Sequence, residues 1–258
     1  MFELETDLRI IKWMSGSIFM AGILSLAAYQ VGVPSGYGKH TKKSKFTVDA
    51  RLAWVIQECP SFFLPMLVTY SVGVENINFS NLLIISAFAF HYFQRSFIYP
   101  MLMNRMSTPL PLRIVFMSFT FTFINGYAIS KYEAAHVSLP ENWINSFQFL
   151  TGMLMWASGL LINIHSDHVL RNLRKPNEVG YKIPRGGAFE YVSGANFSGE
   201  IFEWFGLLIA SNFHFPLICF SLSTSLTIGT RALFHHKFYL SKFEDYPKNR
   251  KAVIPFVL

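Results

Sequence analysis

Residues 79–99 read FSNLLIISAFAFHYFQRSFIY. The apolar run opening this stretch continues past a cluster of polar side chains, so the segment near 79–103 reaches the roughly 20 residues that a helix needs to cross a bilayer's hydrocarbon core. Six further segments qualify, near 10–33, 51–73, 110–130, 146–168, 197–213 and 215–236, the 197–213 segment least clearly because it carries Glu200 and Glu203. Composition agrees. The 258 residues are 52% hydrophobic, include 27 Phe and are only 14% charged, where a soluble domain carries about 25%. The expected fold is all-α, a polytopic membrane protein with seven transmembrane helices. No linker, internal repeat or low-complexity stretch divides it, so residues 1–258 form one domain.

Charge orients the helices. Of 22 Lys and Arg residues, 18 fall in the first, third and fifth connections and the C-terminal tail, and only Arg9, Lys12 and Lys131 fall on the other side, with Arg95 inside the third span. Basic loops stay in the cytoplasm, which places the N-terminus outside and the C-terminus in the cytoplasm. The net charge of +7 therefore marks topology, not nucleic-acid binding. The opening residues Glu3, Glu5 and Asp7 are acidic where a signal peptide is basic, so the first run reads as a permanent span. Cys59 and Cys219 both lie in apolar stretches and read as buried thiols.

Ionisable groups at membrane depth are costly and point to function. In the second span, Gln57 and Glu58 precede Pro60, which lacks an N–H and clashes with the carbonyl one turn earlier, so the helix should loosen there. A carboxyl so poorly solvated favours its neutral, proton-bearing form. In the third span, Tyr92, Arg95 and Tyr99 share a helical face, and His91, Arg95 and Tyr99 form an adjoining row. Tyr92 beside Arg and His, facing Glu58, reads as a proton donor. Asn163, Asp167, Arg171 and Arg174 make one polar face running from the fifth span into the loop, suited to a ligand with hydroxyls at one end and phosphates at the other, since Arg forks onto phosphate. Asn196, Glu200 and Glu203 share a face of the sixth span, and Arg231, His235 and Tyr239 follow at steps of four.

Other chemistries lack their signatures. His235 and His236 point apart on a helix and no His-Glu-x-x-His spacing occurs, so no metal site is expected. Without a Gly-x-Gly-x-x-Gly turn after a strand, a Walker motif or a Gly-x-Ser-x-Gly elbow, any nucleotide must be held among the helices.

Several contiguous motifs then resemble the steroid 5α-reductases, most closely the type 1 and type 2 enzymes. They are Pro34-Ser35-Gly36-Tyr37-Gly38-Lys39-His40, Gln57-Glu58-x-Pro60-Ser61, His91-Tyr92-Phe93, Asn163-Ile164-His165-Ser166-Asp167, Leu173-Arg174-Lys175-Pro176, Gly194-Ala195-Asn196-Phe197, and the tail from Phe243-Glu244-Asp245-Tyr246-Pro247-Lys248 to Ile254-Pro255-Phe256. The resemblance runs from about residue 34 to the C-terminus. It implies seven transmembrane helices, NADPH in a cytoplasm-facing cavity and a 3-oxo-Δ4 steroid arriving from the membrane. It further implies that Glu58 and Tyr92 bind the substrate carbonyl with Gln57 close by, and that Asn163, Asp167, Arg174, Tyr181, Asn196, Glu200, Arg231, His235 and Tyr239 line the cofactor site. Arg95 and Tyr99 match family positions of the same role, and Arg171 fits the phosphate end by periodicity. The loop Asn104-Arg105-Met106-Ser107-Thr108 lacks the family's glycine and second basic residue, while Lys182 and Phe234 stand where the type 2 enzyme has Arg and His.

The resulting expectation is NADPH-dependent reduction of the C4=C5 bond of 3-oxo-Δ4 steroids, with Tyr92 and Glu58 as catalytic donors to the carbonyl. The chain would be an integral multi-pass protein of the endoplasmic reticulum, or of the inner membrane if bacterial, acting as a monomer with the lipid bilayer and a steroid-like lipid as partners. The alternatives are a related membrane reductase of polyprenol or enoyl-CoA substrates, a membrane methyltransferase using S-adenosylmethionine, and a seven-span receptor or channel, which the buried carboxyl, Tyr and Arg stripes fit poorly.

Overall fold

The computed structural model describes residues 2–33, 44–103, 107–174, 178 and 180–258. The motif at residues 34–40 lies outside the described residues, as do Asn104, Arg105 and Met106 of the divergent loop and Lys175 and Pro176 of the basic motif.

The described chain is mostly helical: α1 (Phe2–Gln30), α2 (Ala50–Glu58), α3 (Pro60–Val72), α4 (Phe79–Phe93), α5 (Tyr99–Leu102), α6 (Leu112–Ala135), α7 (Phe147–Arg171), α8 (Ala195–Ala210) and α9 (Phe215–Lys242). A two-residue antiparallel ribbon, β1 (Thr47–Val48) with β2 (Leu110–Pro111), is an addition to the expected all-α fold. Polar caps explain where several helices begin. Asp49 accepts from the N–H groups of Arg51 and Leu52, Asn78 from that of Ser80, and Ser146 from that of Phe149, each satisfying donors with no partner inside the helix.

Five segments are long and apolar enough to cross a membrane: Leu4–Gln30, Ala50–Val72, Leu112–Ala135, Phe147–Arg171 and Phe215–Lys242. The other two expected spans differ for physical reasons. In the third, a π turn (Gln94–Ile98) separates α4 from α5. The sixth, α8, has only 16 residues, about 24 Å of rise against a hydrocarbon core of about 30 Å. It stops at a tight turn where Asn212 and Phe213 take φ of 58° and 59°. At the other extreme, α1 starts eight residues earlier than the apolar run suggests. Its acidic end is held by His136 Nε2 at 2.9 Å and Lys131 Nζ at 3.8 Å from Asp7 Oδ2.

The second span breaks where Pro60 requires. α2 ends at Glu58 and α3 restarts with Pro60 in its first turn. The Ile56 carbonyl, which would have bonded an N–H at position 60, accepts instead from Cys59 Sγ at 3.6 Å.

Helices α7 and α8 pack antiparallel through four glycines. A Cβ on Gly152 would come within 2.6 Å of Gly206 O, and one on Gly199 within 2.6 Å of Asn163 N. Small residues let helix backbones approach this closely in a membrane, where packing replaces the hydrophobic drive. The buried core gathers Ile84, Phe88, Tyr92, Trp204, Leu207, Leu217 and Phe220. Large apolar side chains also face outward, with Tyr70 87%, Phe147 86% and Trp13 81% exposed, the pattern of a surface covered by lipid, not water. The C-terminal tail turns back against the segment before α8: Ser193 N donates to Lys251 O and Gly194 N to Ala252 O.

Candidate functional site

The break at Pro60 places Gln57 and Glu58 at the end of α2, and α6 fixes them there. Thr122 Oγ1 donates to Gln57 O at 2.6 Å, and Ser61 Oγ donates to Thr122 O at 2.8 Å. Gln57 Nε2 donates to Glu58 Oε1 at 3.3 Å, while its own Oε1 is buried without a partner. Glu58 lies within electrostatic reach of Arg95, Glu200 and Arg231.

Tyr92 is buried, packed on Phe88 at 4.8 Å and stacked on Trp204 at 6.1 Å between ring centroids. Ser61 and Asn125 approach its hydroxyl, and Glu58 and Glu200 lie within electrostatic reach of it. The neighbouring His91 turns to α8, with Nδ1 at 2.8 Å from Glu203 Oε1 and its ring against Trp204.

Arg95 is the centre of the polar region. Its Nη1 donates to Asp167 Oδ2 at 2.7 Å and its Nη2 lies 3.5 Å from Glu200 Oε2. The guanidinium also covers the rings of Trp54 at 5.1 Å and Tyr99 at 4.8 Å. Two carboxylates in a poorly hydrated interior are tolerated only while the arginine between them offsets their charge. From α7, Asn163 Nδ2 donates to Asn196 O at 2.9 Å and Glu200 Oε2 at 3.3 Å, and Asn196 Nδ2 donates to Asp167 Oδ1 at 3.3 Å. Arg171 also lies near Tyr99, 5.9 Å from the ring centroid. There a recess of about 360 Å³ opens between Leu102, His168, Arg171 and Asn172.

Three polar groups are thus present: the carboxyl of Glu58 within electrostatic reach of the Tyr92 phenol, the Arg95–carboxylate–amide lattice, and Arg171 beside an open recess. The comparisons with known proteins agree on what such a chain is. A profile described as 3-oxo-5-alpha-steroid 4-dehydrogenase matches residues 108–258. The chain is 46% identical over 230 residues to 3-oxo-5-alpha-steroid 4-dehydrogenase 1 of Bos taurus, covering 88% of this chain and 89% of that protein. To the same enzyme of Mus musculus it is 44% identical over 246 residues, covering 93% and 95%. Against 3-oxo-5-alpha-steroid 4-dehydrogenase 2 of Homo sapiens the identity is 41% over 247 residues, covering 95% and 96%. The chain belongs to the 3-oxo-5-alpha-steroid 4-dehydrogenase family. It is thereby an oxidoreductase of the class acting on CH–CH groups.

For a member of the 3-oxo-5-alpha-steroid 4-dehydrogenase family, the structure gathers Gln57, Glu58, Tyr92, Arg95, Tyr99, Asn163, Asp167, Asn196, Glu200 and Arg231 around one set of electrostatic and hydrogen-bond contacts. Others make contacts of their own. Arg174 is not on the α7 face, because the helix ends at Arg171 with Asn172 as its cap; it is exposed and donates to Gly180 O at 3.4 Å. Tyr181 is half exposed, edge-on to Phe238 at 4.8 Å. His235 meets Phe197 edge-on at 5.8 Å, and Tyr239 is buried, stacked on Tyr246 at 5.4 Å. The supposed row of His91, Arg95 and Tyr99 is also divided, since His91 bonds α8 near the core while Arg95 and Tyr99 meet across the π turn.

Sequence reading missed the partners Ser61, Asn125, Trp54 and Trp204. Each is an ordinary residue within an apolar run, and only its position opposite a charged or phenolic group gives it a role. The His91–Glu203 pair was open to detection, since both were noted as intramembrane ionisable groups, but nothing in one dimension joined them.

Proposed function

We propose that this protein reduces the C4=C5 double bond of a 3-oxo-Δ4 steroid with NADPH, giving the 5α-3-oxo product. The reading is supported most directly by the buried Tyr92 phenol lying within electrostatic reach of Glu58, in a chain whose relatives are named 3-oxo-5-alpha-steroid 4-dehydrogenases.

The residues fit a dinucleotide. Asn163 Oδ1, Ser166 Oγ and Gln94 Oε1 are buried polar atoms without partners on the helices that face the site, and such atoms are costly unless a ligand or water meets them. Asn163, Asp167, Asn196 and Glu200 would hold hydroxyl and amide groups, with Arg95 and Tyr99 beside them. Arg171 and Arg174 would take the phosphates, and Tyr181, Arg231, His235 and Tyr239 would complete the walls. When bound, NADPH supplies a hydride.

The chain's own part is to manage charge on the substrate. Hydride delivered to C5 pushes an electron pair onto the 3-oxo oxygen, forming an enolate, and a proton from solvent then reaches C4. Tyr92 and the proton-bearing Glu58 donate hydrogen bonds to that oxygen as its charge grows, which lowers the barrier because the donors are already oriented. Gln57 holds the Glu58 carboxyl through Nε2. A neutral acid beside a tyrosine serves the same end in ketosteroid isomerase. The apolar core around Phe88 and Trp204 keeps bulk water off the Tyr92 side of the carbonyl and strengthens the donors there. We further propose seven spans, with a cytoplasmic C-terminus and a monomeric chain in the bilayer, from which the steroid partitions directly to the site.

Purified protein in lipid nanodiscs, mixed with NADPH and a panel of Δ4-3-ketosteroids, tests this. Steroid-dependent NADPH oxidation with a 5α product supports the proposal. NADPH that neither binds nor is oxidised with any steroid in the panel overturns it.

A further inference from the structure

The segment leading into α8 is closed by a hub that the reaction itself does not use. Ser193 Oγ, on a residue only 4% exposed, lies 2.6 Å from His236 Nδ1, 2.6 Å from Tyr246 Oη and 3.2 Å from Lys251 O. A hydroxyl has one donor and two acceptor sites, so three contacts saturate it. A carbonyl only accepts, so the serine must donate to Lys251 O while Tyr246 O–H and His236 Nδ1–H both donate to the serine, which requires the proton on His236 Nδ1.

The hub joins three parts of the chain: the connection before α8, the last third of α9, and the tail. The backbone reinforces it on the tail side, where Lys251 N donates to Tyr191 O at 3.0 Å and Ser193 N to Lys251 O at 2.8 Å. On the helix side the fit is tight, since a Cβ on Gly194 would come within 2.9 Å of Ala232 Cβ. Ser193 stands three residues before Asn196 and seven before Glu200. His236 follows His235 directly and lies five residues after Arg231. Through this oxygen atom the segment leading to the Asn196–Glu200 row on α8 is tied to the helix that carries Arg231 and His235.

We propose that Ser193, with His236 and Tyr246, is a positioning hub that fixes the spacing of the two cofactor-facing rows. This rests on the NADPH reading given above. The three residues touch neither steroid nor hydride. They act through the walls they hold, so their loss weakens dinucleotide binding without slowing the chemical step once the site is filled.

The test uses full-length protein in nanodiscs, with NADPH affinity measured by nucleotide fluorescence, thermal stability read in parallel, and kcat and KM obtained for each substrate. Ser193→Ala is expected to raise the NADPH Kd and KM about tenfold, as loss of a buried hydrogen-bond hub does, with kcat at saturating NADPH and steroid KM within about twofold of the parent. Tyr246→Phe keeps the ring on Tyr239 and removes one donor, so it carries the test even if Ser193→Ala does not fold. It is expected to shift NADPH affinity in the same direction. The double variant should be no worse than the worse single, because both act on one hub. Ser193→Thr, which restores the hydroxyl, should recover most of the affinity. Unchanged NADPH affinity in both Ser193→Ala and Tyr246→Phe, or a loss falling on kcat with affinity intact, overturns the hub. Failure of the parent protein to bind NADPH instead overturns the proposed function, so the two failures are distinct.

Discussion

Replacing Gly159 by Ala tests the α7–α8 contact on which the polar lattice stands. A Cβ there meets the backbone N of Glu203 and comes within 2.6 Å of both Glu203 Cα and Gly199 O. These are backbone atoms that cannot rotate away. Ordinary contact begins near 3.4 Å, so α8 must retreat by at least about 0.8 Å, a displacement of the kind that overpacking forces. Asn163 Nδ2 bonds Asn196 O at 2.9 Å and Glu200 Oε2 at 3.3 Å, and the same retreat stretches both contacts beyond hydrogen-bonding range. Overpacking costs about 1–3 kcal/mol and each lost bond about 1 kcal/mol, offset by about 1 kcal/mol from the better helix propensity of Ala. The net loss of about 2–4 kcal/mol should lower the melting temperature by roughly 4–16 °C and weaken NADPH binding at least about tenfold. Gly16→Ala is the matched control, since its Cβ would meet nothing within 4 Å, and it should leave both quantities unchanged or raise stability slightly. The assay is thermal unfolding in nanodiscs with and without NADPH. Equal melting temperatures and equal NADPH affinities for the two variants would refute the close approach.

Glu58→Gln and Tyr92→Phe should each reduce kcat by about 10²–10³ with NADPH still bound; near-normal turnover in both would remove them from the mechanism. Pro60→Ala gives Ile56 O a backbone donor again, so the interruption between α2 and α3 should close and shift Glu58 relative to Tyr92. Turnover should fall while the melting temperature holds or rises, and unchanged turnover would show that the break does not set the carboxyl. Arg95→Ala leaves Asp167 and Glu200 facing each other without their cation, with an expected loss of about 3–5 kcal/mol in denaturant unfolding, partly recovered by also replacing Asp167 with Asn. Outside the membrane segments, the Gly186 N–H at 2.6 Å from Glu190 Oε1 holds that carboxyl below its usual range, with Arg250 and Arg185 adding to the effect. A depressed carboxylate contributes stability that is fully present above its unfolded value of about 4.3 and is lost as pH falls through the folded value. Glu190→Gln should therefore flatten the acid limb of the stability profile and leave neutral pH turnover unchanged.

The one-dimensional reading reached far because a bilayer restricts what a chain can do. A segment that crosses it must satisfy its own backbone, so apolar length alone names helices. Ionisable groups are then rare enough for Glu58, Tyr92, Arg95, Asp167 and Glu200 to stand out singly. Pro60 announced its own break, because a missing N–H acts locally whatever surrounds it. Where spacing was pushed further, it failed for equally physical reasons. The i, i+4 pattern carried Arg174 onto a helix that ends three residues earlier, and the regular 3.6-residue period could not foresee a π turn at Gln94–Ile98.

Membrane helices, their approximate limits, the family motifs and most of the charged site were thus determined by residue type and order, which express local backbone needs and the cost of charge in lipid. Which groups meet was decided only by packing. His91 with Glu203, Ser61 and Asn125 at the Tyr92 hydroxyl, and Ser193 between His236 and Tyr246 join residues that are tens to more than a hundred positions apart. Such contacts depend on how closely two helices approach and how they are rotated, which four glycines and a few small side chains set between α7 and α8, and no period along the chain records a distance between two axes.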